Sequence, residues 1–465
     1  MVNQPERQPG NGRPGLVRAR ERRGLTQEEA AELVGVSVTT WSRWERAEQS
    51  MRPAYRMRIA RAWQVPVEEV ERWLVTDQPR PDATPEPEPD ADIGAAGWCA
   101  ESAARLWRWE IDTSRRHLLA ALPFTPAALG EWLLAWSFDP PAPVSLSSGT
   151  ARVGMADVQA IHEALQAFTR MDHQFGAGLV RPAVTDFLAS KVAPLLHGSA
   201  ADDVRAQLFT AASQMTRLAG WMAFDLARHG LAQQHLGQAL KLAKQAGDGL
   251  TGAWALATLA QQACDLGQRR WAIRLASAAV DAATKSGAPS RVRAELLIRQ
   301  ARALAVTGSQ SLDSSEQHEA YTVREVSKLL AQAETAFARD ADGHDLAWSA
   351  TFHEAEMAAE IGYCWQLAGQ HRRAAACAEM ALKGFGADFP RSTQFNQLHA
   401  ARSYLELGEL DRALTYARQA VPATGTLASA RARALMDDFS QRLRPYRTYA
   451  GVREFEDYRR SRLSS

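Results

Sequence analysis

The chain has 465 residues, of which 46% are hydrophobic and 23% charged, and its formal net charge is +1. This length and apolar content can bury several cores, so we expect roughly two to four folded units and not a disordered chain. The near balance of charge excludes a polycation that coats nucleic acid without specificity. Any contact with DNA must therefore be local.

The cysteines and the apolar runs bear on the cellular compartment. Cys99, Cys264, Cys364 and Cys377 form no CxxC pair, so we expect reduced residues and neither a disulfide scaffold nor a zinc ribbon. No apolar run reaches the roughly 18 residues that a membrane span needs, and the first fifteen residues lack the apolar stretch of a signal peptide. We expect a cytoplasmic protein with no membrane contact.

Residues 1–15 contain three prolines and three glycines and are predicted to be a flexible arm. Residues 16–75 then show the signals of five short helices. Thr26 is a predicted N-cap, Gly35 a predicted helix stop, and Ser37 the cap of the third helix. Pro53 is predicted to open the fourth helix, and Pro66 the fifth.

The stretch from Gln27 to Glu45 has the spacing of a helix-turn-helix. Ala31 is small enough for close approach of two helices, and Gly35, four residues later, suits the positive φ of the turn. Trp41 and Trp44 give the third helix an apolar side. The opposite side is predicted to face base edges in the major groove. The predicted base-facing residues are Ser37, Val38, Thr39, Thr40, Ser42 and Arg43, and Gln27 is predicted to bind a phosphate.

Residues 16–74 resemble the lambda-repressor and Cro class of helix-turn-helix, often called the XRE family. The resemblance rests on LVRARERRGLTQEEAAELVGVSVTTWSRWE, followed by RP and IARAW. It implies base contacts for Val38, Thr39 and Arg43 and a buried ion pair between Arg20 and Glu45. It also implies phosphate contacts at Gln27 and beyond the third helix. The residues concerned there are Arg46, Arg52 and Tyr55.

Residues 76–97 are rich in proline and acid and are predicted to be an extended linker. Residues 98–200 show a helical pattern, with the clearest segments at 100–109, 127–136, 155–169 and 182–196. The tryptophans in this region are interpreted as packing residues. The segment DHQFGAG, residues 172–178, is predicted to be a turn.

Residues 201–445 contain an internal repeat in which a glycine is followed by small residues five, nine and twelve positions later. Gly267, Gly369 and Gly408 each begin such a series. Small residues at this spacing allow one helix to pack closely on another, so each unit is predicted to be a helix hairpin in an α-solenoid. The predicted hairpins are 207–245, 251–284, 290–338, 349–383 and 393–420, followed by a capping helix at 426–443 and a C-terminal tail at 446–465.

These units resemble tetratricopeptide repeats, and the segment GWMAFDLARHGLAQQHLGQALKLAKQAGD resembles actinobacterial regulators that couple an XRE domain to such repeats. The layout is more distantly similar to quorum-sensing regulators that hold a peptide with a ladder of asparagines. This chain has only Asn3, Asn11 and Asn396, so we do not expect peptide sensing by that mechanism.

First helices of such hairpins line the concave side of a solenoid, and here they carry polar stripes. We predict that these stripes form a pocket for a small polar or cationic effector, with an ordinary solvated inner face as the alternative. The predicted pocket residues are Trp221, Asp225, Trp254, Gln261, Arg299, Arg302, His353, Glu356, Glu360 and Tyr363.

The matches to motifs of enzymatic chemistry are incomplete or lack the required structural context. Gly247, Gly249 and Gly252 fit GxGxxG but follow no strand, and the HExxH pattern that starts at His353 ends at Met357. We expect no catalytic residue, no metal site and no cofactor.

The sequence therefore predicts an all-α, sequence-specific transcriptional regulator that binds a pseudo-palindromic DNA operator as a homodimer. Its solenoid is expected to supply the dimer interface and a surface for a small-molecule, peptide or protein effector. The alternative is an adaptor in which the solenoid binds a protein partner and the DNA-binding domain only localises it.

Overall fold

The computed structural model describes residues 13–46, 53–63, 67–74, 100–112, 121–140, 152–308, 316–339 and 352–463, with a few isolated residues between them. The chain divides into two compact units, Met1–Glu88 and Pro89–Ser465. The described segments are helices and loops, and they contain one isolated β-bridge, between Arg152 and Ser199. The predicted all-α fold class is confirmed. The predicted linker, residues 76–97, lies outside the described residues.

The first unit is a bundle of short helices around a tryptophan-rich core. Its helices are α1 (Pro14–Glu21), α2 (Gln27–Val34), α3 (Val38–Glu45), α4 (Pro53–Ala62) and α5 (Val67–Trp73). Trp41 and Trp44 are fully buried, as the sequence predicted, together with Leu16, Ile59 and Val70.

Local capping fixes the turn between α2 and α3. The backbone N–H of Thr26 donates to the Glu29 carboxylate at 2.7 Å, and the Thr26 hydroxyl accepts from the Glu29 N–H at 3.2 Å. Gly35 has a φ of 73° and ends α2. The Ser37 hydroxyl then accepts from the Thr40 N–H at 3.2 Å and starts α3. These caps explain why the sequence predicted the bounds of α3 correctly.

The predicted flexible arm at 1–15 is wrong for its last three residues. Arg13 donates its backbone N–H to the Glu45 carbonyl at 2.6 Å, and its guanidinium donates to the carbonyls of Trp44 at 3.0 Å and Leu74 at 3.1 Å. Pro14 then occupies the first position of α1. Residues 13–15 therefore belong to the folded unit, while residues 1–12 lie outside the described residues.

The second unit begins with helices that precede the solenoid. These are α6 (Ala100–Ile111), α7 (Pro126–Phe138), α8 (Met155–Phe175) and α9 (Ala177–Phe187), which runs through the π-helical turn Leu188–Val192 into α10 (Ala193–Leu196). The turn predicted at 172–178 is wrong, because α8 continues to Phe175 and only Gly176, with a φ of 82°, breaks it.

The solenoid follows as five helix hairpins, which confirms the predicted repeat architecture. The hairpins are α11 (Asp202–Asp225) with α12 (His229–Ala246), α13 (Gly249–Asp265) with α14 (Arg269–Lys285), α15 (Ser290–Gly308) with α16 (Glu316–Ala338), α17 (Glu354–Leu367) with α18 (His371–Gly384), and α19 (Pro390–Glu406) with α20 (Leu410–Thr426). The small residues of each series, such as Ala272, Ala276 and Ala279, are buried.

Two helices complete the unit, α21 (Ala430–Arg442) and α22 (Ala450–Leu463). The prediction of a C-terminal tail at 446–465 is therefore wrong for residues 450–463, because they form α22, which packs on α20. Val452 and Phe455 bury their side chains in the same core as Leu414 and Val421.

The two ends of the solenoid meet. The Arg391 guanidinium on α19 donates to the Asp172 carboxylate on α8 at 2.6 Å, across 219 residues of sequence. The Ser429 hydroxyl at the start of α21 donates to Asp225 at 3.0 Å. The Gly178 N–H donates to the Ala428 carbonyl at 3.1 Å. These contacts close the superhelix around its concave side.

Helix α7 packs on the solenoid by inserting tryptophans opposite glycines. A side chain at Gly237 on α12 would lie 2.6 Å from the Trp132 ring, which is itself buried. Trp136 lies in the same way against Gly252 on α13. The packing interpretation of these tryptophans is thus the one the structure supports.

We predict that Gly237→Val lowers the free energy of unfolding of the second unit by about 1–3 kcal/mol, because the new side chain overpacks the Trp132 contact. Valine forms helix no worse than glycine, so propensity does not explain a loss. Urea denaturation followed by circular dichroism measures it. Gly386→Val is the control, since nothing lies within 4 Å of that position, and equal effects of the two variants would contradict the packing.

Candidate DNA-binding surface and solenoid cavity

The outer side of α3 carries the residues predicted to face DNA. Ser37, Val38, Thr39 and Arg43 are exposed, and Thr40 and Ser42 are half-buried. The rings of Trp41 and Trp44 occupy the other side of the helix in the core. The helix therefore presents one polar face on a rigid support.

Within that face, the hydroxyls of Ser37 and Thr40 are engaged with each other. The Ser37 and Thr40 hydroxyl oxygens lie 2.9 Å apart, and Ser37 also caps the helix, so both are engaged in starting α3. In the described part of the chain, Val38, Thr39 and Arg43 make no side-chain hydrogen bond. These three residues are the ones most available to a base edge.

Gln27 occupies a different environment from the one predicted. Its side-chain amide donates to the Glu45 carboxylate at 2.6 Å, and the same carboxylate accepts from Trp41 Nε1 at 2.8 Å and from Arg20 Nε at 2.6 Å. The Arg20–Glu45 ion pair implied by the resemblance is therefore present. It holds α1, α2 and α3 together, and it leaves Gln27 only part of its amide for a phosphate.

Two of the other three residues predicted to contact phosphates lie in different environments. Arg46 is exposed at the end of α3, with its Nε 3.4 Å from the Ser42 carbonyl. Tyr55 packs against the Trp44 ring at a centroid distance of 5.2 Å, so its ring is part of the bundle. Arg52 lies outside the described residues.

The second candidate site is a cavity of about 1020 Å³ on the concave side of the solenoid. Its wall comes from the first helix of each hairpin together with α8 and α21. Most residues of the predicted effector pocket line it, namely Trp221, Trp254, Gln261, Arg299, Arg302, Glu356, Glu360 and Tyr363.

Two predicted pocket residues do not line the cavity. Asp225 is fully buried, where it accepts the Ser429 hydroxyl and lies 3.9 Å from Arg431. His353 packs between the rings of Phe385 and Phe389, and burial lowers its pKa. Both residues have structural roles, which corrects the predicted set.

The sequence missed other residues of the wall. These are Asp172 and His173 on α8, Arg217 on α11, Arg391 and His399 on α19, and Arg431 on α21. Arg391 and Arg431 are far from any predicted stripe, because the prediction considered only the hairpins before residue 390. The stripe at α19 had the same spacing and could have been found. The participation of α8 had no local signal.

Most charges in the wall are paired. Arg302 forms an ion pair with Glu360, Arg391 with Asp172 at 2.6 Å, and Arg431 with Asp265 at 3.0 Å. Arg431 also lies over the Phe224 ring, 4.5 Å from its centroid. Paired charges of this kind hold neighbouring helices in register around the cavity.

Comparison with known proteins identifies the first unit. Residues 16–73 match the family described as a helix-turn-helix domain. These residues form a helix-turn-helix domain. The domain indicates a DNA-binding regulator.

The other comparisons are more distant. The crystal structure of a Rap protein complexed with Competence and Sporulation Factor aligns with 67% of this chain and 98% of its own, at 14% identity and a TM-score of 0.40. No curated protein matches the chain. Within the described part of the chain, no helix combines the length and apolarity needed to cross a bilayer, and no group of three His, Cys, Asp or Glu residues is arranged to hold a metal ion.

Glu356 is the titratable group of the cavity wall with a pKa near neutrality. Burial and the neighbouring Glu360 raise its pKa to about 7. The Ser392 hydroxyl, which donates to it at 2.5 Å, and the charges of Arg391 and Arg299 oppose the rise. The residue is half-buried and lines the cavity.

We predict that this carboxyl group makes the second unit less stable as the pH rises from 4.5 to 7. Between its ordinary pKa of 4.5 and about 7 the folded state holds the proton that the unfolded state has lost. Glu356→Gln should flatten that dependence and unfold with about 1–3 kcal/mol more free energy than the wild type at pH 8. Chemical denaturation across this range measures both. Exposed Glu354→Gln is the control, and parallel profiles of the two variants would contradict the assignment.

Proposed function

We propose that the chain is a sequence-specific transcriptional regulator that binds DNA as a homodimer through α3 and responds to an effector in the solenoid cavity. The observation that carries the DNA-binding part is the exposed face of Val38, Thr39 and Arg43 on a helix whose other side is locked in the core. Residues 1–75 carry thirteen arginines and ten glutamates, a net charge of +3, which favours approach to phosphates.

In this proposal α3 enters the major groove and its side chains read the bases. Arg43 can donate two hydrogen bonds to a guanine edge, which contributes about 1–3 kcal/mol of discrimination. The methyl groups of Val38 and Thr39 can contact thymine methyls. Phosphate contacts from Arg46 would set the orientation without adding sequence information.

The proposal includes a dimer because one copy of this face offers few hydrogen bonds to bases. Two copies would read half-sites roughly 34 Å apart, or a multiple of that spacing, on a pseudo-palindrome. The solenoid is the surface we assign to dimerisation. An effector in the cavity alters DNA binding only if it binds one arrangement of the two reading domains more tightly than another.

A second function receives some support from the surface of α7. Leu134 and Phe138 are exposed to 61% and 79%, and adjacent exposed apolar side chains are typical of protein contacts. This favours the adaptor alternative, in which the solenoid binds a protein partner. The adaptor predicts no dependence of target choice on the residues of α3.

We predict that Arg43→Ala lowers the preference for the optimal operator over a single-guanine mismatch by about ten- to a hundredfold, because the bidentate contact is lost. Selection from random duplexes followed by titration of the enriched sites measures it. Arg61→Ala is the matched control, since Arg61 is exposed on α4 in the same unit and its loss changes the charge equally. It should weaken binding slightly and keep the sequence preference.

Two results would contradict the proposal. The wild-type protein could enrich no sequence from the random pool, or Arg43→Ala could keep the wild-type preference. Either outcome combined with capture of one stoichiometric protein partner would favour the adaptor.

A further inference from the structure

Arg217 differs from the other arginines deep in the cavity wall. It lies on α11 with 8% of its surface exposed, and it lines the cavity. Its guanidinium carbon is 3.2 Å from the centroid of the Trp254 ring on α13. This stacked position fixes the plane of the guanidinium at the cavity surface.

Among the described residues, no carboxylate forms an ion pair with this guanidinium. In the described part of the chain Arg217 has no acidic oxygen within 4.0 Å, whereas Arg302, Arg391 and Arg431 each have one. Its Nη1 makes one long hydrogen bond, 3.5 Å to the Thr258 hydroxyl, and its Nε has no partner. In the described part of the chain, this cavity-lining guanidinium thus has donors that no carboxylate accepts.

An unpaired buried charge is unfavourable, since burial removes the water that solvated it. Burial and the nearby charge of Arg299 lower the pKa of Arg217 to about 9, so the group remains charged at neutral pH. Glu295 and Asp172 oppose these effects, but their carboxylates already accept from Arg299 at 3.2 Å and from Arg391 at 2.6 Å. An anion from outside the chain would therefore accept from donors that no carboxylate of the described residues engages.

The rest of the wall limits what can carry that anion. Aromatic side chains line the cavity beside the arginines, among them Trp221, Phe224, Tyr363 and Phe395. A volume of about 1020 Å³ suits a ligand of drug-like size, for which pockets measure roughly 300–1000 Å³. The contacts of Asp172, Asp225 and Gly178 join the helices on either side of this cavity.

We propose that the cavity binds a small organic anion, a carboxylate attached to a planar apolar body, with the carboxylate on Arg217 and the body against Trp254 and the neighbouring aromatic residues. This deepens the proposed function by giving the effector a chemical class. It also replaces the polar or cationic effector expected from the sequence. The carboxylate accepts from the Nη side of the Arg217 guanidinium, as other carboxylates do from guanidinium groups.

The test uses the full-length protein and the probe 2-naphthoate, with uncharged 2-naphthamide as the matched ligand. Isothermal titration calorimetry compares the wild type with Arg217→Gln and Arg217→Lys. Arg274→Gln is the control variant, because Arg274 is exposed and lies over another tryptophan, Trp271, 5.4 Å from its centroid, and does not line the cavity. DNA binding to an enriched operator is measured separately on the same samples.

The proposal predicts that the wild type and Arg274→Gln bind naphthoate equally, and that naphthamide binds at least tenfold more weakly. Arg217→Gln should lose at least tenfold in naphthoate affinity, and Arg217→Lys should retain part of it because the charge remains. Arg217→Gln should also unfold at a temperature no lower than the wild type in the absence of ligand, since it removes an unpaired buried charge.

Equal naphthoate affinity in the wild type and Arg217→Gln would overturn the proposal, and so would equal binding of naphthoate and naphthamide, or no binding of naphthoate at millimolar concentration. Specific DNA binding with no naphthoate binding would reject the anion site and leave the regulator standing. Naphthoate binding through Arg217 with no specific DNA binding would reject the regulator and leave the site.

Discussion

The ion pair between Asp172 and Arg391 is the contact on which the concave side of the solenoid depends. The two side chains are almost fully buried, 219 residues apart in sequence, and they join the helix before the repeats to the first helix of the last hairpin. Burying two charges is costly, and only close pairing compensates for it. With this pair in place, α8 and the first helices of the hairpins line one cavity.

The arginines of the wall form two groups with different consequences. Arg302, Arg391 and Arg431 each form an ion pair with a carboxylate on another helix, and these ion pairs hold the helices together. Arg217 is held by an indole ring and a hydroxyl, and neither supplies a negative charge. A buried guanidinium without a paired carboxylate gives the cavity a preference for the sign of its ligand, which bulk apolar lining alone does not give.

The parts of this structure that the sequence predicted are those with local causes. Thr26, Gly35 and Ser37 act within four residues of themselves, so the bounds of α2 and α3 were predictable. The glycine and alanine series of the repeat act between adjacent helices, and the hairpins followed from them. The closure at Asp172 had no such signal, and the two glycines that follow it suggested a turn where α8 continues.

The candidate sites follow the same division. The outer face of α3 could be assigned from the spacing of Trp41 and Trp44, since the opposite side of a helix is then determined. The polar stripes of the first helices supplied eight of the residues that line the cavity. Asp225 and His353 lay on those stripes, but Asp225 contacts Ser429, and His353 packs against Phe385 and Phe389. Only the folded superhelix brings these partners near.

The Asp172–Arg391 pair closes the solenoid around its cavity. A double-mutant cycle tests this closure most directly. Asp172→Asn, Arg391→Gln and the double variant are compared with the wild type by chemical denaturation. Closure through the pair predicts that each single variant loses about 3–5 kcal/mol, because it leaves one buried charge unpaired, and that the double variant loses clearly less than the sum. Additive losses would show that the two side chains act independently and would contradict the account.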